Sequence, residues 1–301
     1  MGFYSINDKP ITRDQHFVQR KYLSLWTDDL TTEGTANFEV DGGKQKNINI
    51  KVILFQKDFY EIPVLNNAEI TTCEQIMRAI PCLTNENVLL YIKNLKITKA
   101  IYDNGDEILK HDLKQTLIQL GEDFQKCAEN MMSENITGKI LNCDSSFLND
   151  FAERSSFLNC LFMQYMRSPK ILKQITKNTS DVFASQDNAD IDGRKIWSVI
   201  HNVIATSAAN YMSTQNIRIK FLISKDEDLI TCDCPVVRLP LAQDSTDRFY
   251  YPFSPRIGMI IGNNEENSTH ILDNAEIEFY NNLIRNNAER IVVFKYKKIV
   301  Q

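Results

Sequence analysis

The feature that most constrains the fold is a long run of helical periodicity between Asp106 and Met132. Apolar residues recur there at steps of one, three and four, which is the spacing of one face of an amphipathic helix. They are Ile108, Leu109, Leu113, Leu117, Leu120, Phe124, Cys127 and Met131. The pattern predicts one long helix whose apolar face packs against other elements.

A second long apolar-faced helix is predicted from Phe147 to Ile175, with a break at Ser168-Pro169. The break is required because proline has no backbone N–H to donate to the helical hydrogen-bond ladder. The polar, turn-rich stretch from Asn178 to Gly193 is expected to be a mobile loop. The other helices predicted in the middle of the chain are Cys73–Ile80, Asn85–Leu95 and Ile196–Tyr211.

Strand patterns lie on both sides of this helical middle. Asn47–Phe55 begins with strict alternation of polar and apolar residues, and Phe38–Val40 can pair with it across the turn Asp41-Gly42-Gly43-Lys44. Before this hairpin, Thr12–Leu25 is predicted to be a helix that Asp14 caps or begins. The C-terminal third is predicted to hold the strands Ile217–Ser224, Leu229–Cys232 and Gly258–Gly262, then the helix Asp273–Ala288 and the closing strand Arg290–Tyr296. Phe249–Phe253, between the second and third of these strands, is an aromatic stretch.

This order of elements predicts an α+β fold. It would consist of a small N-terminal β element, a predominantly helical middle, and a C-terminal mixed or antiparallel sheet with a final helix. At 301 residues the chain can form one large domain or two small ones, and no stretch of it has the composition of a long linker. Its parts would be an N-terminal β and helix region at 1–70, the helical middle at 71–212, and the C-terminal sheet region at 213–301.

Charge, hydropathy and cysteine usage limit the class of protein. The net charge of -5 is unlike that of a protein that coats nucleic acid with one large basic face, although a local basic groove is compatible with it. No uncharged apolar run approaches the ~20 residues needed to cross a bilayer. The 7 scattered cysteines fit reduced thiols better than a disulfide framework. We therefore expect a cytoplasmic protein without a membrane partner.

The most specific local chemistry surrounds His16, which lies close to Asp14 and Tyr22 in the sequence. A neutral imidazole can accept a proton or bind a metal, and a nearby tyrosine or carboxylate can orient it. His16 and Tyr22 are therefore candidate catalytic residues. The alternative is that His16 caps or packs within the first helix.

Three charged residues are further candidate catalytic residues. Asp233 directly follows an apolar strand, where enzymes hold carboxylates, although an aspartate before a proline-containing bend also bonds local backbone amides. Arg167 stands at the helix break, where it can bind a phosphate or carboxylate or form a structural salt bridge. Glu122 can help to hold a divalent cation such as magnesium or manganese, or belong to a solvated helix face.

Several short motifs of the chain together form a resemblance. They are Gln15-His16-Phe17-Val18 with Tyr22-Leu23, Tyr165-Met166-Arg167-Ser168-Pro169, and Ile230-Thr231-Cys232-Asp233-Cys234-Pro235-Val236. Through them the chain resembles the uncharacterised family labelled domain of unknown function 4238 (DUF4238). Gln19 stands where that family usually has proline, and cysteines replace the serine and asparagine beside Asp233. The resemblance implies a single domain over nearly the full chain, and it brings no established reaction.

Two hypotheses of function follow. In the first, the protein hydrolyses phosphodiesters, as a nuclease in a defence or toxin role with nucleic acid as its partner. His16 would be a general base or ligand, Asp233 an acid or metal ligand, Arg167 a phosphate clamp and Glu122 a second carboxylate. In the second, the protein is a non-catalytic sensor or partner-binding module, and the same motifs join the N-terminal helix to the C-terminal sheet.

Overall fold

The structure is a computed structural model, and it describes residues 14–40, 43–57, 59–80, 83–184, 191–226, 228–240 and 247–295. None of the helices in these ranges is long and apolar enough to cross a membrane. The α-helices in these ranges are α1 (Arg20–Leu23), α2 (Asn67–Arg78), α3 (Asn85–Asn104), α4 (Glu107–Met131), α5 (Glu134–Leu141), α6 (Phe151–Met166), α7 (Pro169–Ala184), α8 (Gly193–Ser213) and α9 (Asn274–Asn287). The strands are β1 (Asp14–His16), β2 (Thr35–Val40), β3 (Lys44–Asn49), β4 (Phe55–Lys57), β5 (Arg218–Ile223), β6 (Thr231–Cys232), β7 (Val237–Arg238), β8 (Arg248–Pro252), β9 (Ile257–Gly262), β10 (Ser268–Ile271) and β11 (Ile291–Phe294).

The described strands form three sheets. β1 and β4 make an antiparallel pair, and β10-β5-β9-β8-β7 make a mixed sheet in which β10 and β5 are parallel. The remaining sheet has the order β3-β2-β11-β6, so that the last described strand lies between an N-terminal hairpin and β6. The predicted α+β fold is confirmed, with its N-terminal β element, helical middle, C-terminal sheet and final helix.

The core is built around helices α6 and α8, which pack against each other. The largest cluster of buried apolar side chains joins α6 and the second half of α8 to strands β5, β8 and β9. β9 is buried at every residue, and its run of Ile, Gly and Met suits a strand covered on both faces. A second cluster joins the first half of α8 to α2 and α3. Helix α8 therefore belongs to both clusters and connects the main core with α2 and α3.

The long helix α4 forms where the periodicity predicts it, but the predicted packing face is wrong in large part. Five of its apolar residues are exposed, namely Ile108, Leu109, Leu120, Phe124 and Met131. The buried face instead includes Ile118, Gly121, Glu122 and Gln125. A polar face points inwards here because the core on this side contains a buried arginine that needs hydrogen-bond acceptors, as described below.

Three local predictions need correction. Within the predicted helix Thr12–Leu25, residues Asp14–His16 form a strand that pairs with β4, and only Arg20–Leu23 is α-helical. The predicted strand Asn47–Phe55 is interrupted by a 3-10 turn at Ile50–Val52. The predicted loop Asn178–Gly193 begins inside α7, which continues to Ala184, and residues 185–190 lie outside the described residues. A contact made far along the chain decides the first case, since β1 requires its partner β4. In the second case the contact is local, because the side chain of Asn49 accepts from the N–H of Lys51 at the 3-10 turn.

Candidate functional site

The junction between α6 and α7 places Arg167 in the middle of the protein. α6 ends where the backbone N–H of Arg167 donates to the carbonyl of Met163, and α7 begins with Pro169 as its first residue. Proline is favoured at that position because the first N–H of a helix has no helical partner. The predicted break at Ser168-Pro169 is thus confirmed. It leaves the Arg167 side chain 0% exposed, an unusual place for a guanidinium.

Acceptors from three elements surround the guanidinium. Its Nη2 donates to Oε1 of Gln164 at 2.9 Å, and its Nη1 lies 3.2 Å from Oε1 of Glu129 and 3.4 Å from Oε1 of Gln125. The hydroxyl of Tyr60 accepts from the same Nη1 at 3.3 Å. A buried charge is tolerated only when it is paired and hydrogen-bonded, and Arg167 meets both conditions through Glu129 and the neutral acceptors. We call these five residues the Arg167 network.

The Arg167 network holds the N-terminal segment by its backbone. The hydroxyl of Tyr60 donates to the carbonyl of His16 at 2.6 Å, while the amide of Gln164 donates to the carbonyl of Phe17 at 3.0 Å. The backbone N–H of Gln19 also donates to Oε1 of Gln164 at 3.4 Å. Residues 16–19 are therefore fixed by two side chains that Arg167 itself orients, so the first and second sequence motifs meet in space.

Tyr60 is brought to this position by a close approach of backbone to helix. A Cβ atom at Gly121 of α4 would lie 1.9 Å from the carbonyl oxygen of Tyr60, a distance that no real contact allows. Glycine is thus required at that turn of α4. The backbone N–H of Tyr60 completes the link by donating to Oε1 of Gln15 at 2.6 Å.

A branch of hydrogen bonds runs from the Arg167 network into α8. The amide nitrogen of Gln125 donates to Oδ1 of Asn202 at 2.9 Å and lies 3.2 Å from Nε2 of His201. Since an amide NH₂ can only donate, Nε2 of His201 accepts, and its Nδ1–H donates to the carbonyl of Trp197 at 3.1 Å. The ring stacks on Trp197 with 4.4 Å between centroids. His201 is therefore held as a neutral imidazole, and burial lowers its pKa to about 4.

The imidazole of His16 does not point into the Arg167 network. Its Nε2 donates to the carbonyl of Ile50 at 3.3 Å, and its ring lies against Phe55 of the paired strand with centroids 5.6 Å apart. Burial lowers the pKa of His16, and the Ile50 carbonyl, which favours the protonated ring, opposes that change. The structure joins His16 to Arg167 through the His16 carbonyl and Tyr60.

Tyr22 joins α1 to the C-terminal sheets. Its hydroxyl donates to the carbonyl of Pro252 at 2.6 Å and lies 2.6 Å from Oγ1 of Thr231. The ring stacks on Tyr251 at 5.2 Å between centroids. Burial raises the pKa of Tyr22 well above its ordinary value, so the hydroxyl stays protonated and acts as a hydrogen-bond donor.

Asp233 lies at the end of β6, as predicted, and its carboxylate caps a backbone segment. Oδ1 accepts from the N–H of Glu289 at 2.9 Å, and Oδ2 accepts from Arg290 at 2.8 Å and Ile291 at 3.3 Å. Burial raises the pKa of Asp233, and the three N–H donors, which favour the carboxylate, oppose that rise. The side chain thus fixes the turn between α9 and β11.

Replacing Asp233 by asparagine is expected to lower the free energy of unfolding by about 2 kcal/mol. The amide keeps one acceptor oxygen but turns an NH₂ group towards backbone N–H donors, so at least one buried donor loses its partner. Urea unfolding of the variant measures the change. The same substitution at exposed Asp112 should stay within about 0.5 kcal/mol of wild type. Equal stability of both variants would show that the three bonds do not hold the turn.

Glu122 lies on the buried face of α4, and its carboxylate pairs with Lys126 at 3.2 Å. The acceptors of Arg167 on this helix are instead Gln125 and Glu129. Across the described residues, no three His, Cys, Asp or Glu side chains lie close enough together to hold a metal ion.

Asp233 lines a groove that passes close to the Arg167 network. The groove has a volume of about 760 Å³ and includes Phe17 and Pro169, which neighbour His16 and Arg167 in the sequence. His16 and Arg167 themselves do not line it. Four basic side chains surround it, namely Lys173, Lys177, Arg194 and Arg290. The structure thus connects His16 with Arg167 through hydrogen bonds, while Asp233 and Tyr22 bond to the C-terminal sheets and Glu122 bonds within α4.

Sequence reasoning missed the residues that bond to Arg167. Gln164 could have been found, because it lies three residues before Arg167 on α6 and therefore on the same face. Tyr60 and Gln125, and His201 that bonds to Gln125, show no such signal, since they come from different elements that meet only in the folded chain.

The comparisons with known proteins agree with the motifs. No curated protein and no solved structure is detectably similar to this chain. The model of one family, described as Protein of unknown function (DUF4238), matches residues 14–298. That match includes the N-terminal segment, the Arg167 break and the Asp233 turn. The chain belongs to the DUF4238 family.

Proposed function

We propose that the protein is a non-catalytic sensor or partner-binding module of the cytoplasm. The observation that carries this proposal is the Arg167 network. Its guanidinium is 0% exposed and spends its hydrogen bonds on side chains that hold the backbone of residues 16–19. Both terminal nitrogens of the guanidinium are hydrogen-bonded, and a buried polar network of this kind specifies an arrangement of elements without performing chemistry. The motifs are thus best explained as residues that hold the N-terminal segment, the helices and the C-terminal sheets to one another.

The cysteines support the proposed compartment. Those in the described residues are all unpaired, and Cys73, Cys160, Cys232 and Cys234 are buried thiols. Burial raises the pKa of each of these four thiols, which keeps them protonated and unreactive. Such a set suits a reducing environment.

The variant His16→Ala tests the proposal. We expect it to lower the free energy of unfolding by about 1 to 2 kcal/mol, because the hydrogen bond to Ile50 and the contact with Phe55 are lost. We also expect the wild-type protein to leave DNA, RNA and bis(p-nitrophenyl) phosphate intact with magnesium or manganese. Thermal unfolding and product analysis measure the two results, with exposed His111→Ala as the matched control. Hydrolysis that disappears in His16→Ala at unchanged stability would overturn the proposal.

The second candidate function is the phosphodiester hydrolase, with nucleic acid as its partner. The observation that favours it is the groove beside Asp233, where Lys177, Arg194 and Arg290 would attract phosphate groups, while Lys173 pairs with Glu289 at 2.6 Å. The same hydrolysis assay decides it. Cleavage by the wild type that falls in Asp233→Asn but not in Asp112→Asn would support this candidate, and intact substrates at all metal concentrations would dismiss it.

A further inference from the structure

Helices α2, α3, α4, α6 and α8 surround a cavity of about 510 Å³, and the hydrogen bond from Gln125 to Asn202 connects its wall with the Arg167 network. Its size is that of an ordinary small-molecule site, and its walls are mainly apolar. The rim is apolar as well, since Leu90 and Phe124 are 59% and 47% exposed there. This rim includes part of the α4 face whose exposure contradicted the sequence prediction.

The cavity has no charged lining residue within the described part of the chain. Charged residues make up 24% of the sequence, so their absence from a lining of this extent is selective. A charged ligand that entered would lose water without meeting a counter-ion, which is unfavourable. The occupant that fits is therefore uncharged.

Side-chain amides make up most of the polar residues of the wall. They are Asn87, Asn94, Asn159, Asn202 and Asn210, from three different helices. An amide both donates and accepts hydrogen bonds, so such a wall suits a molecule with groups of both kinds or with acceptors alone. Asn202 has the most informative position. Its Oδ1 is taken by Gln125, while its Nδ2 makes no hydrogen bond to any described residue and remains available to a ligand.

We propose that this cavity binds an uncharged small molecule that combines an apolar body with hydrogen-bonding groups. The proposal rests on the proposed function, because it supplies the ligand site of the sensor or binding module. Asn202 connects the site to the rest of the protein. Asn202 is hydrogen-bonded to Gln125, which accepts from Arg167. Arg167 in turn bonds to Gln164, which donates to the backbone carbonyl of Phe17, so that a continuous series of hydrogen bonds connects the cavity wall with the N-terminal segment.

The test uses Nile red, an uncharged aromatic dye with carbonyl and ring-nitrogen acceptors, and the full chain. We expect saturable binding with one site per chain, seen as a rise in fluorescence. Thr206→Phe places an aromatic ring in the cavity from an exposed position of α8, and it should weaken binding about tenfold or more. The identical substitution at Thr116, an exposed α4 residue outside the cavity lining, should leave the affinity unchanged.

Several outcomes would overturn the assignment. They are the absence of saturable binding to the wild type, equal binding by Thr206→Phe and wild type, or competition at this site by the anionic dye 1-anilinonaphthalene-8-sulfonate. If Thr206→Phe changes the melting temperature, Asn210→Phe, also exposed and lining the cavity, replaces it with the same expected loss. Phosphodiester hydrolysis by the wild type would contradict the proposed function whatever Nile red does, so the two failures are distinct.

Discussion

Replacing Arg167 by methionine is expected to lower the free energy of unfolding by about 2 to 3 kcal/mol, which is the usual cost of taking a charged hydrogen-bond donor away from buried acceptors. Methionine fills most of the same space but removes the charged donor of Gln125 and Gln164, and it leaves Gln164 only the 3.4 Å bond from the N–H of Gln19. Because Tyr60 and Gln164 hold residues 16–19, the N-terminal segment should also detach. Urea unfolding and amide hydrogen exchange of residues 15–19 measure both effects.

The matched control is Arg78→Met. Arg78 pairs with Glu74 at 2.7 Å one helical turn away on the surface of α2. Such exposed pairs contribute less than about 1 kcal/mol, so this variant should unfold nearly as the wild type does. If Arg167→Met were as stable as Arg78→Met, the buried network would not join the elements, and the structural interpretation of the motifs would be wrong.

Acidification is expected to destabilise the protein through His201 by roughly 3 kcal/mol between pH 7 and pH 4. In the folded chain, burial of the ring lowers its pKa to about 4. Its Nε2 also accepts a hydrogen bond from Gln125, which a protonated ring could not do. The nearby charge of Arg167 acts in the same direction. In the unfolded chain the ring takes up a proton near pH 6.5. The unfolded state therefore binds more protons over this interval, and stability falls as the pH falls towards the folded pKa.

The variant His201→Gln isolates this contribution, because glutamine can donate to Trp197 and accept from Gln125 without titrating. Free energies of unfolding at pH 7, 5.5 and 4.5 should converge between variant and wild type as the pH falls. The same substitution at exposed His111 should retain the wild-type pH dependence. Parallel curves for wild type and His201→Gln would show that the ring is not held neutral in the folded protein.

Short sequence patterns were sufficient to predict the elements that are determined by residues close together in the chain. The α6–α7 break follows from Pro169, and the hairpin of β2 and β3 follows from alternation around a glycine-containing turn. Strand β1 was not predictable in this way. Its three residues become a strand only by pairing with β4, whose residues lie about forty positions later, and no short pattern encodes that partner.

The candidate site was predictable in position more than in role. Arg167 and Asp233 were identified because an arginine at a helix break and an aspartate at a strand end are uncommon choices. Both were also considered as structural residues, and their observed hydrogen bonds are of that kind. The polar face of α4 misled the sequence analysis, because Gln125 and Glu129 are directed inwards by an arginine from another helix. Residues that satisfy a distant buried charge look like ordinary surface residues in a sequence.

The position of strand β11 has a consequence for how the protein is made. β2 pairs with β3 on one side and with β11 on the other. The sheet is therefore incomplete until Ile291–Phe294, the residues of β11, have been synthesised. During synthesis the N-terminal hairpin leaves the ribosome long before this partner exists. One edge of β2 then stays open while the helical middle is translated, and open strand edges pair with other chains. Nascent chains that stop before residue 291 should therefore be the aggregation-prone species.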